Sequence, residues 1–205
     1  MSNKKKVAVF ASGSGTNFMN IYNNSDYIDV VLLISNNPKS GAVQFAIKKK
    51  IDFKIINNFR YPDNIDLEYE KILKKYKVDL VLLAGFMKKI PLNIVKIYKN
   101  KIINIHPSLL PNYGGEGYYG MKVHQAVISN KEKFTGATIH FVNREYDKGM
   151  IILQKKINIT EDDNADSVAK KVLKIEYEIY LRAIELLCTN KIIIENNKVE
   201  INEKN

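Results

Sequence analysis

The sequence predicts an α/β fold, a three-layer open sheet whose N-terminal half is parallel and Rossmann-like and whose C-terminal half continues in antiparallel strands. Three observations carry this. Up to residue 105, short β-branched runs alternate with helical patterns at the spacing of βαβ units. Four of those runs are apolar almost throughout, as a sheet covered on both faces requires. Beyond residue 105 the alternation stops, and two longer strand-like runs flank a turn-rich stretch.

Taken in order, residues 6–11, 29–35, 53–56, 79–83 and 101–105 read as strands, and residues 16–23, 40–49, 64–76 and 91–98 between them read as helices. A loop follows, then a helix near residues 119–129. Strands at 135–142 and 151–157 are separated by 143–150, so they can pair as an antiparallel hairpin. A helix runs from about residue 164 to 188. The tail repeats the hairpin device, with 191–195 and 198–202 flanking Asn196 and Asn197, whose side chains tolerate the left-handed backbone of a tight turn. No repeat or linker divides the 205 residues, so one domain is expected.

Composition excludes several classes. A domain of this size buries about 70% of the surface its unfolded chain exposes, enough for a closed, dry site. The lone Cys188 forms no intrachain disulfide and fits a reducing compartment, here the cytoplasm. The basic start, Met1 to Lys6, precedes an apolar run too short for a signal peptide, and no run approaches the ~20 residues that span a bilayer. The net charge of +10 is nearly all lysine, with arginine only at Arg60, Arg144 and Arg182. Because the lysines are spread over predicted helix faces, the expectation is a solvated surface, with no nucleic-acid or membrane partner.

The first strand runs into Ser12-Gly13-Ser14-Gly15-Thr16-Asn17 and then a helix. Small residues let backbone amides approach an anion and the helix N-terminus adds partial positive charge, which makes a phosphate cradle; the alternative is a tight turn whose Ser and Thr cap a helix. A P-loop would need Lys-Ser or Lys-Thr after Gly15, and a dinucleotide fold a third Gly at Phe18 and an acidic residue at Asn36 or Asn37. Nucleoside triphosphate hydrolysis and NAD binding are therefore not expected.

The second constellation is Asn104-Ile105-His106-Pro107-Ser108-Leu109-Leu110-Pro111, at the carboxyl end of a buried strand, the edge where open α/β sheets bind ligands. Residues two apart on a strand share a face, so Asn104 and His106 project together. An amide donor beside an imidazole can stabilise a developing oxyanion and move a proton, as acyl transfer to an amine requires. Asp147, in the later turn, is a carboxylate that could raise and orient the imidazole, or a common turn aspartate before Gly149. The other histidines show no metal-ligand spacing, so no metal is expected; His140 reads as a hydrogen-bonded strand residue and His124 as lining the substrate side.

Asn104, His106, the Ser108-Leu109-Leu110-Pro111 run and Asp147 resemble the folate-dependent formyltransferases. Gly13 to Asn17, Ala84-Gly85-Phe86-Met87, Gly136-Ala137-Thr138-Ile139-His140-Phe141-Val142 and Glu176 narrow the resemblance to the glycinamide ribonucleotide formyltransferases, over roughly residues 6–188. The resemblance implies transfer of the formyl group of 10-formyltetrahydrofolate, a co-substrate, to the amine of glycinamide ribonucleotide in purine biosynthesis, by a monomer or homodimer. It implies Gly15, Thr16 and Asn17 on the substrate phosphate, with Glu176 and Lys174 on the ribose side. It places Met87, Lys88, Lys89, Ile90, Asn143, Arg144, Glu145, Tyr146 and Asp147 along the folate pocket, largely through backbone, and Asn104 among the folate contacts. Asn104, His106 and Asp147 are the implied catalytic residues: Asn104 and protonated His106 stabilise the oxygen of the attacked formyl group, and Asp147 keeps His106 charged and relays a proton. The arginine that such enzymes commonly carry after the third strand has no counterpart here, Arg60 lying several residues early. The loop 112–120 reads as a lid or as plain surface loop. Relatives that act on methionyl-tRNA, or that hydrolyse formyltetrahydrofolate, are expected to carry a further domain after or before the catalytic one.

Overall fold

A computed structural model describes residues 4–202, so Met1 to Asn3 of the basic start lie outside the described residues. The chain divides into two compact units, Met1–Ile103 and Asn104–Asn205, and the division falls inside β5 (Ile102–His106).

In the first unit, β1 (Lys5–Phe10) pairs in parallel with β2 (Ile28–Ser35) and with β4 (Leu80–Leu83), and β2 pairs in parallel with β3 (Phe53–Ile55). The strand order β3-β2-β1-β4 follows. All four residues of β4 and the last four of β1 are buried, as continuous apolar runs in a parallel sheet should be. The crossovers are α1 (Thr16–Asn24), α2 (Gly41–Lys49) and α3 (Ile65–Lys75), with α4 (Leu92–Ile97) after β4. Phe10 stacks on Tyr69 at 5.7 Å and meets the edge of Phe86 at 5.2 Å. Large apolar side chains of this kind each contribute about 1.5–3 kcal/mol on burial.

In the second unit, β6 (Phe134–Phe141) and β7 (Ile151–Asn158) pair antiparallel, from Phe134 opposite Asn158 to Ile139 opposite Leu153, with an irregularity before His140. The expected change from parallel to antiparallel pairing is therefore present. Two helices accompany these strands, α5 (Met121–Ser129) and α6 (Ala165–Cys188). Asn164 accepts from Ser167 N–H while the Ser167 hydroxyl accepts from Asn164 N–H, a reciprocal cap that fixes the start of α6. Val168, Val172, Ile175 and Ile179 recur every three or four residues and form the buried stripe of α6. The hairpin of β8 (Ile192–Glu195) and β9 (Lys198–Ile201) turns on Asn196 and Asn197 at φ 49° and 58°, as their side chains allow.

Every helix after α1 starts one or two residues later than the sequence suggests, and for α4 and α5 the backbone shows why. Pro91 stays extended at ψ 142° and caps α4. Gly120, at φ 51° and ψ −134°, holds a conformation that only glycine adopts readily and delays α5 to Met121.

Candidate active site

The site is built from the end of β5 and the turn between β6 and β7, both in the second unit. The 143–149 turn is held by Asn143, whose Oδ1 accepts from Glu145 N–H at 2.8 Å and whose Nδ2 donates to Lys148 O at 3.0 Å. Asp147 then sits at φ 54°, which aspartate tolerates better than most residues. Two residues on, a Cβ at Gly149 would lie 1.6 Å from Phe141 O, so only glycine lets the turn close against β6.

Asn104 and His106 both reach Asp147. Asn104 Nδ2 donates to Asp147 Oδ1 at 3.4 Å, and His106 Nδ1 lies 3.5 Å from Asp147 Oδ2. The expected trio is thus assembled. A fourth member joins it: His140 Nε2 lies 3.2 Å from Asn104 Nδ2 and 3.5 Å from Asp147 Oδ1, while its Nδ1–H donates to Phe141 O at 2.8 Å. Expected as a hydrogen-bonded strand residue, His140 is that and also touches two of the three candidate catalytic groups. The signal is its strand position: His140 lies one residue from the end of β6, next to the turn that carries Asp147.

The 112–115 backbone completes the centre. His106 Nε2–H donates to Tyr113 O at 2.6 Å, and Gly115 N–H donates to Asp147 Oδ2 at 2.9 Å. Tyr113 is tied in turn through its hydroxyl to Glu132 at 2.7 Å. Backbone partners of this kind leave no mark on side-chain patterns. Behind His106, the buried Thr138 hydroxyl donates to Ser108 O at 2.6 Å and accepts from Leu110 N–H at 3.1 Å, which pins the segment that follows the imidazole.

Electrostatics correct one expectation. Burial pushes the His106 imidazole below the usual histidine range; the Asp147 carboxylate and the Tyr113 carbonyl pull it upward without overcoming that, and His140 adds to the fall. The carboxylate neighbour therefore does not make His106 a standing cation. At neutral pH it is neutral with its proton on Nε2, because the Tyr113 carbonyl can only accept. Asp147 shows the opposite balance: burial pushes its carboxyl up, but the His140 contact, the His106 charge and Gly115 N–H together hold it below the usual carboxylate range. His124, on α5, is buried, with 5% of its surface exposed. Burial and the His106 charge lower its pKa to about 4.

The remaining expected residues are distributed as follows. Gly15 caps α1 at φ 81° with no side-chain cap, and a Cβ there would lie 2.8 Å from the Ala42 Cα. Thr16 and Asn17 open the helix. Met87, Lys88 and Lys89 are exposed and Ile90 is buried, in the loop after β4. Arg144, Glu145 and Tyr146 are exposed on the 143–149 turn, where Glu145 pairs with Lys148 at 3.1 Å. Lys174 and Glu176 do not project together: two residues apart on α6, Lys174 is exposed and Glu176 buried, since helix neighbours lie three or four residues apart. Among the described residues no group of three or more His, Cys, Asp and Glu is arranged to hold a metal ion.

Comparison with known proteins gives the following. The family model described as formyl transferase matches residues 5–184. A chloroplastic phosphoribosylglycinamide formyltransferase from Vigna unguiculata is 39% identical, over 97% of this chain and 65% of that protein. The protein of the same name from Arabidopsis thaliana is 39% identical, over 92% of this chain and 67% of its own length. This chain thus spans about two thirds of those plant relatives. The crystal structure of phosphoribosylglycinamide formyltransferase from Anaplasma phagocytophilum matches with TM-score 0.89 at 29% identity, covering 99% of this chain and 96% of that one.

Proposed function

The chain belongs to the formyl transferase family, and from that premise we propose that it transfers the formyl group of 10-formyltetrahydrofolate to the amine of glycinamide ribonucleotide in purine biosynthesis. The products are formylglycinamide ribonucleotide and tetrahydrofolate. The observation that carries this reading is the convergence of the Asn104 amide and the His106 imidazole on one carboxylate, Asp147. An amide donor, an imidazole and a carboxylate in contact are what acyl transfer to an amine needs.

The folate supplies the formyl group as an electrophile. Asn104 Nδ2 and a proton of His106 donate to the formyl oxygen as it gains negative charge. His106, neutral at rest, accepts positive charge at that moment, and Asp147 Oδ2, 3.5 Å from Nδ1, stabilises the imidazolium. The same pair takes the proton lost by the amine and returns it to the departing nitrogen. Groups of this kind are typically worth roughly 10²- to 10³-fold each.

The binding groups fit the ligands. At the start of α1 the first backbone N–H groups meet no side-chain cap, because Gly15 stands at the N-cap, so a phosphate can take them. Gly15, Thr16 and Asn17 hold that phosphate, and Glu176 takes a ribose hydroxyl. In the first unit Met87 keeps 53% of its surface exposed, apolar area suited to the edge of a pterin ring. The lone Cys188 supports a reducing, cytoplasmic setting, and no helix among the described residues is long and apolar enough to cross a membrane.

The test is to mix the protein with glycinamide ribonucleotide and 10-formyltetrahydrofolate, follow folate deformylation by absorbance, and run His106→Ala beside it. Turnover that needs the ribonucleotide and collapses in the variant supports the reaction. Folate loss without the ribonucleotide identifies a hydrolase, and no turnover removes the proposal.

A further inference from the structure

In the first unit a chain of hydrogen bonds crosses the carboxyl ends of the parallel strands in their spatial order. After β3, Asn57 Nδ2 donates to Asn36 O at 3.0 Å. Asn36, after β2, accepts at its Oδ1 from the Ser12 hydroxyl at 2.5 Å. Ser12, after β1, accepts at its Oγ from Met87 N–H, after β4, at 3.0 Å. The Ser12 backbone adds two links, its N–H donating to Gly85 O at 3.1 Å and its carbonyl accepting from Asn37 Nδ2 at 3.3 Å.

Ser12 is the member of this chain that touches both the glycine-rich loop and the segment around Met87. It is 7% exposed, and a hydroxyl has one proton to give. That proton goes to Asn36, which turns an Oγ lone pair toward Met87 N–H. The hydroxyl is committed between two loops, so it is not a phosphate ligand despite its place in the motif.

We propose that Ser12 is a positioning residue for the co-substrate: it holds the 87–90 segment in the conformation that receives the folate, and Asn36 acts through it by orienting its hydroxyl. The inference rests on the reading above that this segment faces the folate. The phosphate side has its own supports, since Met19 N–H donates to Gly15 O at 2.8 Å and Ala42 N–H to Gly13 O at 3.3 Å. Loss of the Ser12 hydroxyl therefore acts on one ligand and spares the other. It also leaves Met87 N–H without its partner, an asymmetric loss in which the stranded donor matters more than the missing bond.

The experiment is calorimetric titration of wild type, Ser12→Ala, Asn36→Ala and the double variant with two probes, a non-transferable 5,8-dideazafolate and glycinamide ribonucleotide. Thermal unfolding checks that each variant is folded. Ser12→Ala is expected to weaken the dideazafolate about tenfold, the scale of one neutral hydrogen bond, and to change the ribonucleotide less than about twofold. Asn36→Ala, which keeps the backbone carbonyl that Asn57 holds, should weaken the dideazafolate by a smaller factor, and the double variant should be no weaker than Ser12→Ala. Such non-additivity marks two residues acting as one unit, which general loosening of the fold does not produce. Equal weakening of both probes, no weakening, or additive effects overturn the inference. If Ser12→Ala does not fold, Asn36→Ala alone decides, through the same split between the two probes. Wild type that binds neither probe overturns the functional reading and this inference with it.

Discussion

Replacing His124 with glutamine removes a titrating group from the interior of the second unit, and the structure sets the size of the effect. His124 is 5% exposed and its Nδ1 has no hydrogen-bond partner. Burial, and then the charge of His106, lower its pKa from the ordinary 6.5 to about 4. The unfolded chain therefore takes up the proton first as pH falls, and acid favours unfolding. The stability tied to this histidine is fully present above pH 6.5 and is lost as pH falls toward about 4. Each pH unit in that window is worth about 1.4 kcal/mol, so about 3 kcal/mol is at stake across it and about 2 kcal/mol by pH 5. Urea unfolding of wild type and His124→Gln at about pH 7.5, 6 and 5 measures this, because the other titrating groups largely cancel in the difference between the two proteins. Wild type should lose about 2 kcal/mol relative to the variant between pH 7.5 and 5. A difference that stays flat to within about 0.5 kcal/mol refutes the reasoning, since it would mean that His124 charges as easily in the folded protein as in the unfolded chain.

Asp147→Asn keeps the shape of the side chain and removes its charge, so kcat should fall roughly 10²- to 10³-fold in steady-state assay while dideazafolate affinity changes little. Because Asp147 is held below the usual carboxylate range and His106 below the usual histidine range, the wild-type kcat/KM profile should lose activity on its acid side at a pH below the ordinary 6.5 of histidine; a limb at or above 6.5 counts against the burial argument. Gly149→Ala must displace Phe141 O or the turn itself, and should cost at least about 1–3 kcal/mol in urea unfolding together with most of the activity, since Asp147 moves with the turn. Residues 1–103 hold 18 Lys and Arg against 8 Asp and Glu, whereas residues 104–205 hold 14 against 14. All the net charge thus belongs to the unit that carries the glycine-rich loop, and kcat/KM for the phosphorylated substrate should fall several-fold between low and about 0.3 M salt with kcat unchanged.

Much of this is legible in the residues, for reasons that differ from element to element. The parallel strands are continuous apolar runs because both faces are covered, so their ends fall within one or two residues of the sequence reading. Asn104 and His106 can be paired because a strand puts alternate residues on one face. Asp147 stands out only through the family resemblance, since nothing local distinguishes it from any turn aspartate. His140 is added by its place near the end of β6, beside the turn that carries Asp147. Lys174 and Glu176 are separated by the helical repeat alone, which puts residues two apart on different faces. Tyr113 O and Gly115 N–H leave no trace in the residues, because their role is carried by backbone atoms that every residue has. Lysines compared with helix faces look scattered, whereas the same lysines summed over the two halves of the chain show where the net charge lies.

The balance at His106 is the feature that side-chain identity alone misses. Acyl transfer to an amine asks two opposite things of an imidazole. It must be uncharged while the amine attacks, so that it can take up positive charge, and it must be charged once the oxygen becomes negative, so that it can hold that oxygen. A solvated histidine beside Asp147 would be a standing cation and would serve only the second demand. Burial supplies the opposing influence and carries the resting state to the neutral side. The two influences work over different conditions, because the cost of burying the cation is fixed by the fold whereas the attraction for it grows when negative charge develops nearby. A developing oxyanion adds to the pull of Asp147 and tips the imidazole toward its protonated form at the step that needs it. Asp147→Asn removes one side of this balance, whereas His124→Gln leaves both sides in place. The first removes the attraction and should fall hard on kcat. The second leaves Asp147 in place and takes away a neighbour whose own protonation His106 opposes, so its effect should lie mainly in acid stability.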